Sequence, residues 1–288
     1  MDIFEDQIDE DRVIARKTPD GSDDLRYPPL PADYQIPVVY RDEEIIVVNK
    51  PYDIRIDGKF PITVEKLVRN GLGIQMDKFR LCNQLDAATS GVMVMGRSQN
   101  GAGNCGKLFV QRKTEKFYLA VGQGLCTHPL NVPVHVTAKI FEPKDGDFKM
   151  YIDQEKGKDS ETVVVPLATN LRLTSFEEPV GTLFLVKLLT GRRHQIRLHL
   201  KHIGYPIVGD ATYGDRPDGV NRMMLHAWKL VLPYSESKRI SLSAPPEDIC
   251  EAYGLSLSYL EERFSQLNEE YFRVSMESIL PPSDLASS

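Results

Sequence analysis

The sequence predicts an α+β fold around a mixed, largely antiparallel sheet. Two observations carry this: strand-like apolar runs outnumber helix-like ones, and several successive runs have no crossover helix between them. With 288 residues, 41% of them hydrophobic and 26% charged, the chain can bury a substantial core as one large domain or two small ones.

Residues 1–36 mix carboxylates with turn formers and end in Tyr27-Pro28-Pro29-Leu30-Pro31, which reads as an acidic extension rather than a domain. Ordered structure is expected from Ile36. Val38-Val39-Tyr40 leads through a charged turn to the buried-strand run Ile45-Ile46-Val47-Val48, stopped by Asn49-Lys50-Pro51. Thr63 to Asn70 reads as a helix, with Thr63 as N-cap and Val64, Leu67 and Val68 on one side. A strand at Val92 to Met95, a helix around Asn104 to Gln111 and a strand at Phe117 to Val121 follow. Val134 to Ile140 and Thr162 to Leu167 are further strands, separated by a charged, glycine-containing loop. Thr182 to Leu189 is a strand, Thr190-Gly191-Arg192-Arg193 a turn, and His194 to Ile203 a helix. Met223 to Leu232 supplies one more strand. Beyond Pro245-Pro246 the helical spacing is scattered and acids are frequent. The domain is therefore set at 37–250, with 251–288 as an acidic, partly helical tail.

Composition narrows the function. No apolar run approaches the ~18 to 20 residues of a membrane span. The carboxylate-rich start, Met1 to Asp11, resembles neither a secretory signal nor a transit peptide. Four separated cysteines (Cys82, Cys105, Cys126, Cys250) without a Cys-x-x-Cys pair point to reduced thiols in a cytoplasmic or nuclear protein, not to a disulfide framework or zinc ribbon. The net charge of −6 is unevenly spread. Residues 1–36 hold 10 Asp/Glu against 4 Lys/Arg, and residues 247–288 hold 9 against 2. The middle, 37–246, carries 22 acidic and 29 basic side chains, a basic body that can bind polyanions. The acidic ends are expected to lie away from such a ligand and to weaken non-specific binding.

Three segments can carry chemistry. Leu81 to Gly91 places Asp86 among small residues (Ala87, Ala88, Thr89, Ser90) before a strand, a turn able to hold one carboxylate at a cleft mouth. The plainer reading is that Asp86 caps the turn. In Thr190 to Lys201, Ile196, Leu200 and Ile203 form a packed helical stripe, while Arg193, Arg197 and Lys201 recur at four-residue spacing as a cationic ridge. Like charges at that spacing call for an anionic partner, unless they are a solvated surface. Thr114 to Ala120 is an amphipathic strand with adjacent Phe117 and Tyr118, one of which faces away from the core and could stack on a base. His194, His199 and His202 lack metal-ligand spacing, so no metal is expected. Dinucleotide-binding, phosphate-loop and nucleophile-elbow motifs are absent.

In this order the segments resemble the RluA-type pseudouridine synthases, from about Val38 to Pro245. The blocks are Val47-Val48-Asn49-Lys50-Pro51, Gln84-Leu85-Asp86-x-x-Thr89-Ser90-Gly91, Lys116-Phe117-Tyr118-Leu119-Ala120 and Thr190 to His199, then Gly209-Asp210-Ala211-Thr212-Tyr213-Gly214 and Leu225-His226-Ala227. Asp53-Ile54-Arg55-Ile56-Asp57 and Cys82-x-Gln84 are similar to a eukaryotic branch of the family. The resemblance implies a catalytic core with an RNA cleft across the sheet, no metal and no organic cofactor. It implies Asp86 as the catalytic carboxylate, Tyr118 stacked on the target uracil, Arg197 paired with Asp86, and Ile196 packed under the base. Gln84, Thr89, Arg192, Arg193, His194 and Lys201 are the RNA-binding residues expected with them. The partner is RNA (transfer, ribosomal or messenger), with no membrane and with the protein as a monomer. Most members carry arginine where this chain has Gln84, so flipping of the target base is expected to be less efficient, or the RNA to present an extruded uridine. An RNA-binding or RNA-folding protein with weak or no catalysis is the alternative.

Overall fold

The fold is that of a computed structural model, which describes residues 30, 33–73, 80–144, 148–173, 181–214, 220, 222–234, 238–267 and 272. Along the chain run β1 (Val38–Arg41), β2 (Ile45–Lys50), α1 (Val64–Lys66, continued by a π-turn over Leu67–Gly71), β3 (Arg80–Leu81), β4 (Ser90–Gly96) and α2 (Gln99–Val110). Then come β5 (Glu115–Gln123), β6 (Val134–Val136), β7 (Ile140–Phe141), β8 (Tyr151–Ile152), β9 (Thr162–Leu171), β10 (Gly181–Leu188) and α3 (Gln195–His202). β11 (Leu225–Pro233), β12 (Arg239–Ser243), α4 (Glu247–Tyr253) and α5 (Leu257–Gln266) complete the chain.

Ten strands form one sheet in the order β1-β2-β4-β11-β5-β10-β9-β6, with β3 on β4 and β12 on β11, while β7 and β8 form a separate ribbon. Every pairing in the large sheet is antiparallel except β4 with β11. This is the mixed, mostly antiparallel α+β architecture expected. Both faces of its centre are buried, so alternate residues feed different cores. Ile46 and Val48 join Met93 and Met95 in the main core. Ile45 and Val47 join Val92, Val94 and Cys105 of α2 in the second.

The parallel junction depends on one glycine. Gly91 has φ +114°, and a Cβ there would lie 2.1 Å from the Ala227 carbonyl oxygen. Only glycine tolerates both the backbone angle and the contact.

Several expectations change. α2 starts at Gln99, five residues before the expected Asn104, because the Ser98 hydroxyl accepts from Gly101 N at 2.9 Å and caps it. The single strand read over Val134 to Ile140 is two, β6 and β7, which pair with different partners. β12, and the two-residue strands β3 and β8, were not foreseen. The acidic segment set off at 251–288 is partly helical as expected, in α4 and α5, but where it is described it packs on the body. Tyr253, Leu260, Leu267 and Phe272 are buried in the main core, so the packed body runs past the boundary drawn at 250. Phe264 of α5 meets Phe117 edge-on at 4.9 Å and Trp228 at 5.3 Å, covering the face of β5 opposite Tyr118.

Candidate active site

The Asp86 turn is fixed from beneath. Asn83 Oδ1 accepts from Val94 N at 2.7 Å, and Thr89 N donates to Asp86 O at 3.1 Å. Lys50, at the end of β2, is fully buried and donates to the carbonyls of Pro51 (2.9 Å), Ala87 (2.7 Å) and Thr89 (2.9 Å). Three carbonyl acceptors hold its ammonium in place, and burial pulls the amine down to about 7. Lys50 therefore laces the start of the turn to its end.

Asp86 opens onto a cleft of about 870 Å³ that is also lined by Gln84, Tyr118, Arg193, Ile196 and Arg197. Arg197 sits in the first turn of α3, buried, with Nη1 3.3 Å from Asp86 Oδ2. The expected pair is there, but it is the weaker arm of the guanidinium. Asp210 takes the other side at 2.8 Å on both Nε and Nη2, a bidentate grip. Asp210 in turn accepts from Thr212 N at 2.9 Å and Tyr213 N at 3.2 Å. The Arg197 guanidinium also lies 4.9 Å from the Tyr213 ring centroid. Asp210 thus orients Arg197, and Arg197 presents one N–H to Asp86.

His194, expected to touch RNA, is part of the cleft lining. Most of its side chain is buried and its backbone is in the left-handed region at φ 55°, with Nδ1 2.8 Å from the Tyr213 hydroxyl and Nε2 4.0 Å from Asp86 Oδ1. Met150 N donates to the same hydroxyl at 2.7 Å, tying the loop before β8 to the site. Tyr118 is buried on the cleft wall, where burial and then the Asp86 charge push its phenol up. Gln84 is exposed at the rim, as is Arg193, which faces Glu142 at 3.9 Å. Arg192 lines the cleft while its Nε donates to Asp159 O at 3.1 Å. Thr89 is buried and bounds the cleft, its carbonyl held by Lys50.

The cationic ridge of Arg193, Arg197 and Lys201 does not exist as one face. α3 begins at Gln195, so Arg193 lies in the preceding turn, Arg197 points inward, and Lys201 is exposed outside the cleft lining. Sequence reasoning missed Lys50, Asp210 and Gln195. Gln195 accepts from Thr190 Oγ1 (2.8 Å) and Arg192 N (2.9 Å) and donates to Glu161 O (2.9 Å) and Thr162 Oγ1 (2.8 Å), pinning the 190–193 turn to β9. All three stand inside the quoted sequence blocks, but nothing in local spacing names partners so distant. Among the described residues, no group of three His, Cys, Asp or Glu side chains could hold a metal ion.

A carboxylate held at an open cleft by a buried guanidinium that Asp210 grips from behind, beside a buried tyrosine on a mixed sheet, can serve an enzyme reaction that uses one positioned carboxylate, with the exposed Glu142 also in the lining. Residues 44–202 match the family model for RNA pseudouridylate synthase, and the chain belongs to that family. It is 34% identical over 223 residues to RNA pseudouridylate synthase domain-containing protein 1 of Mus musculus, covering 72% of this chain and 71% of that one. It is 30% identical over 228 residues to tRNA pseudouridine synthase C of Haemophilus ducreyi, covering 73% of this chain and 90% of that protein. The solved structure of human RNA pseudouridylate synthase domain containing 1 superposes with a TM-score of 0.65 at 31% identity, covering 80% of this chain and 95% of that one. Human RNA pseudouridylate synthase domain containing 4, at 22% identity and a TM-score of 0.58, shares the fold.

Proposed function

We propose that the chain converts a uridine of RNA to pseudouridine with Asp86 as the reacting carboxylate. The reaction breaks the bond between ribose C1′ and uracil N1 and makes one between C1′ and C5. A proton leaves C5 and N1 gains one, so the product is an isomer. One carboxylate suffices because the detached uracil never departs, unlike glycoside hydrolysis with its two carboxyl groups. Arg197 positions Asp86, Tyr118 packs against the flipped base, and Ile196 closes the pocket beneath it. Flipping a stacked uridine costs a few kcal/mol, which stacking and cleft contacts offset.

The observation that carries this is the Asp86–Arg197–Asp210 chain of contacts at the cleft, in a member of this family. The test is site-resolved pseudouridine mapping of cellular RNA with the wild-type chain and with Asp86→Asn. Sites present with the first and absent with the second are expected. RNA binding without any such site would favour the second reading, an RNA-binding scaffold, for which exposed Gln84 in place of arginine is the support. We further propose action as a monomer in the cytosol or nucleus, consistent with four free cysteines. Cell fractionation and sedimentation check these two statements.

A further inference from the structure

Lys116 carries a charge into the cleft. It precedes Tyr118 by two residues on β5, so both side chains leave the sheet on the same face, and both line the cleft. Its strand neighbours are Leu188 and Leu230, whose side chains offer no acceptor. Among the described residues, Lys116 Nζ has neither a hydrogen bond nor an ion pair. Its Nζ reaches the turn before α3, where a Cβ on Gly191 would meet it at 3.4 Å, an ordinary contact. The charged groups on the surrounding elements are Arg112 after α2, Arg192 and Arg193 before α3, Glu142 after β7, and Asp86. Arg193 faces Glu142 at 3.9 Å and Arg197 holds Asp86 at 3.3 Å. The charge left over around Lys116 is therefore positive. A half-buried ammonium in such a place is costly until an anion arrives.

We propose that Lys116 holds a backbone phosphate of the RNA beside the flipped uridine, as a positioning residue that seats the nucleotide against Tyr118 and Asp86. The proposal rests on the RNA reading above and names the contact by which this cleft grips the strand. A uracil carbonyl would satisfy one donor but leave the surplus charge unmet, whereas a phosphate meets both.

Burial, helped by Arg112, pulls the amine down to about 8. Lys116 is thus cationic below that pH and neutral above it, and its hold on phosphate weakens as pH rises through about 8. The probe is a short fluorescein-labelled oligouridylate, titrated with the full chain and followed by anisotropy. Lys116→Met is expected to reduce the slope of log affinity against log salt by about 0.7, the loss of one single-strand phosphate contact. Wild type is expected to lose affinity about fourfold from about pH 7 to about pH 8.5, and the Met variant to show no such loss. An unchanged slope in a Lys116→Met protein that melts like wild type overturns the assignment. Should the variant not fold, the unmodified chain decides, since a flat pH profile overturns it equally. Pseudouridine formation, measured alongside, separates the two claims. Intact turnover with an unchanged slope or flat profile sinks the phosphate contact alone, and no oligouridylate binding with no turnover sinks the RNA reading itself.

Discussion

Asp86 is readable as a candidate from its neighbours, but its control is not. The anchor of Arg197 is Asp210, thirteen residues away, and the clamp of the Asp86 turn is Lys50, on another strand. Neither link follows from periodicity, because each joins a residue of a helix or strand to a turn that the fold brings beside it. They carry measurable consequences. Arg197→Ala leaves Asp210 buried and unpaired, so a loss of ~3 to 5 kcal/mol in denaturant unfolding is expected together with loss of turnover. Asp210→Asn keeps the shape and removes the bidentate charge pairing, so turnover should fall while RNA binding persists. Equal rates for Asp210→Asn and wild type would remove Asp210 from the positioning chain. Lys50→Met leaves the Ala87 and Thr89 carbonyls without their donor, freeing the turn that carries Asp86. Misplacement by about 1 Å costs on the order of 10²-fold in rate, and pseudouridine formation by a folded Lys50→Met protein measures it.

Single elements were legible where burial on both faces made continuous apolar runs, as in β2, β4, β9 and β10. Short or edge pieces such as β3, β8 and β12 lacked that signal, because two residues or an alternating five leave little pattern to read. The C-terminal helices were obscured by their many acids, although the apolar side of α5 is what matters. Leu260 is fully buried, so Leu260→Ala should cost ~2 to 5 kcal/mol, read as a fall in melting temperature. Removal of everything after Pro246 should destabilise further, since Phe117 and Trp228 lose Phe264. A truncated chain melting at the wild-type temperature would show α5 to be dispensable. α5 also puts its acids on the sheet face away from the cleft, so shielding of RNA by this segment is at most long-range and screened beyond ~8 Å.

For the molecule as a whole, the α+β class followed from strand number and spacing, whereas the sheet order did not, because β11 is inserted between strands made more than a hundred residues earlier. Acid sensitivity is another property of the whole. His199 and His226 are each pulled down to about 4, chiefly by burial, and each sits neutral in a hydrogen-bonded niche. The unfolded chain takes up these protons near 6.5 and the folded one does not. Their stabilising effect is therefore complete above about pH 6.5 and lost as pH falls toward 4, by up to about 3 kcal/mol for each. Melting temperature should decline across that window, and a flat profile would contradict the neutral niches. The insertion of β11 has one more consequence, for how the protein comes into being. A ribosome delivers β4, every residue of which is buried in the finished fold, and then β5, long before it delivers Leu225–Pro233. Until then two apolar strands wait with open edges, the condition under which nascent chains stick to one another. Translation that stops anywhere short of Leu225 should thus yield aggregates instead of a weak enzyme, and a nascent chain of this protein is a natural client for chaperones that shield unpaired strands.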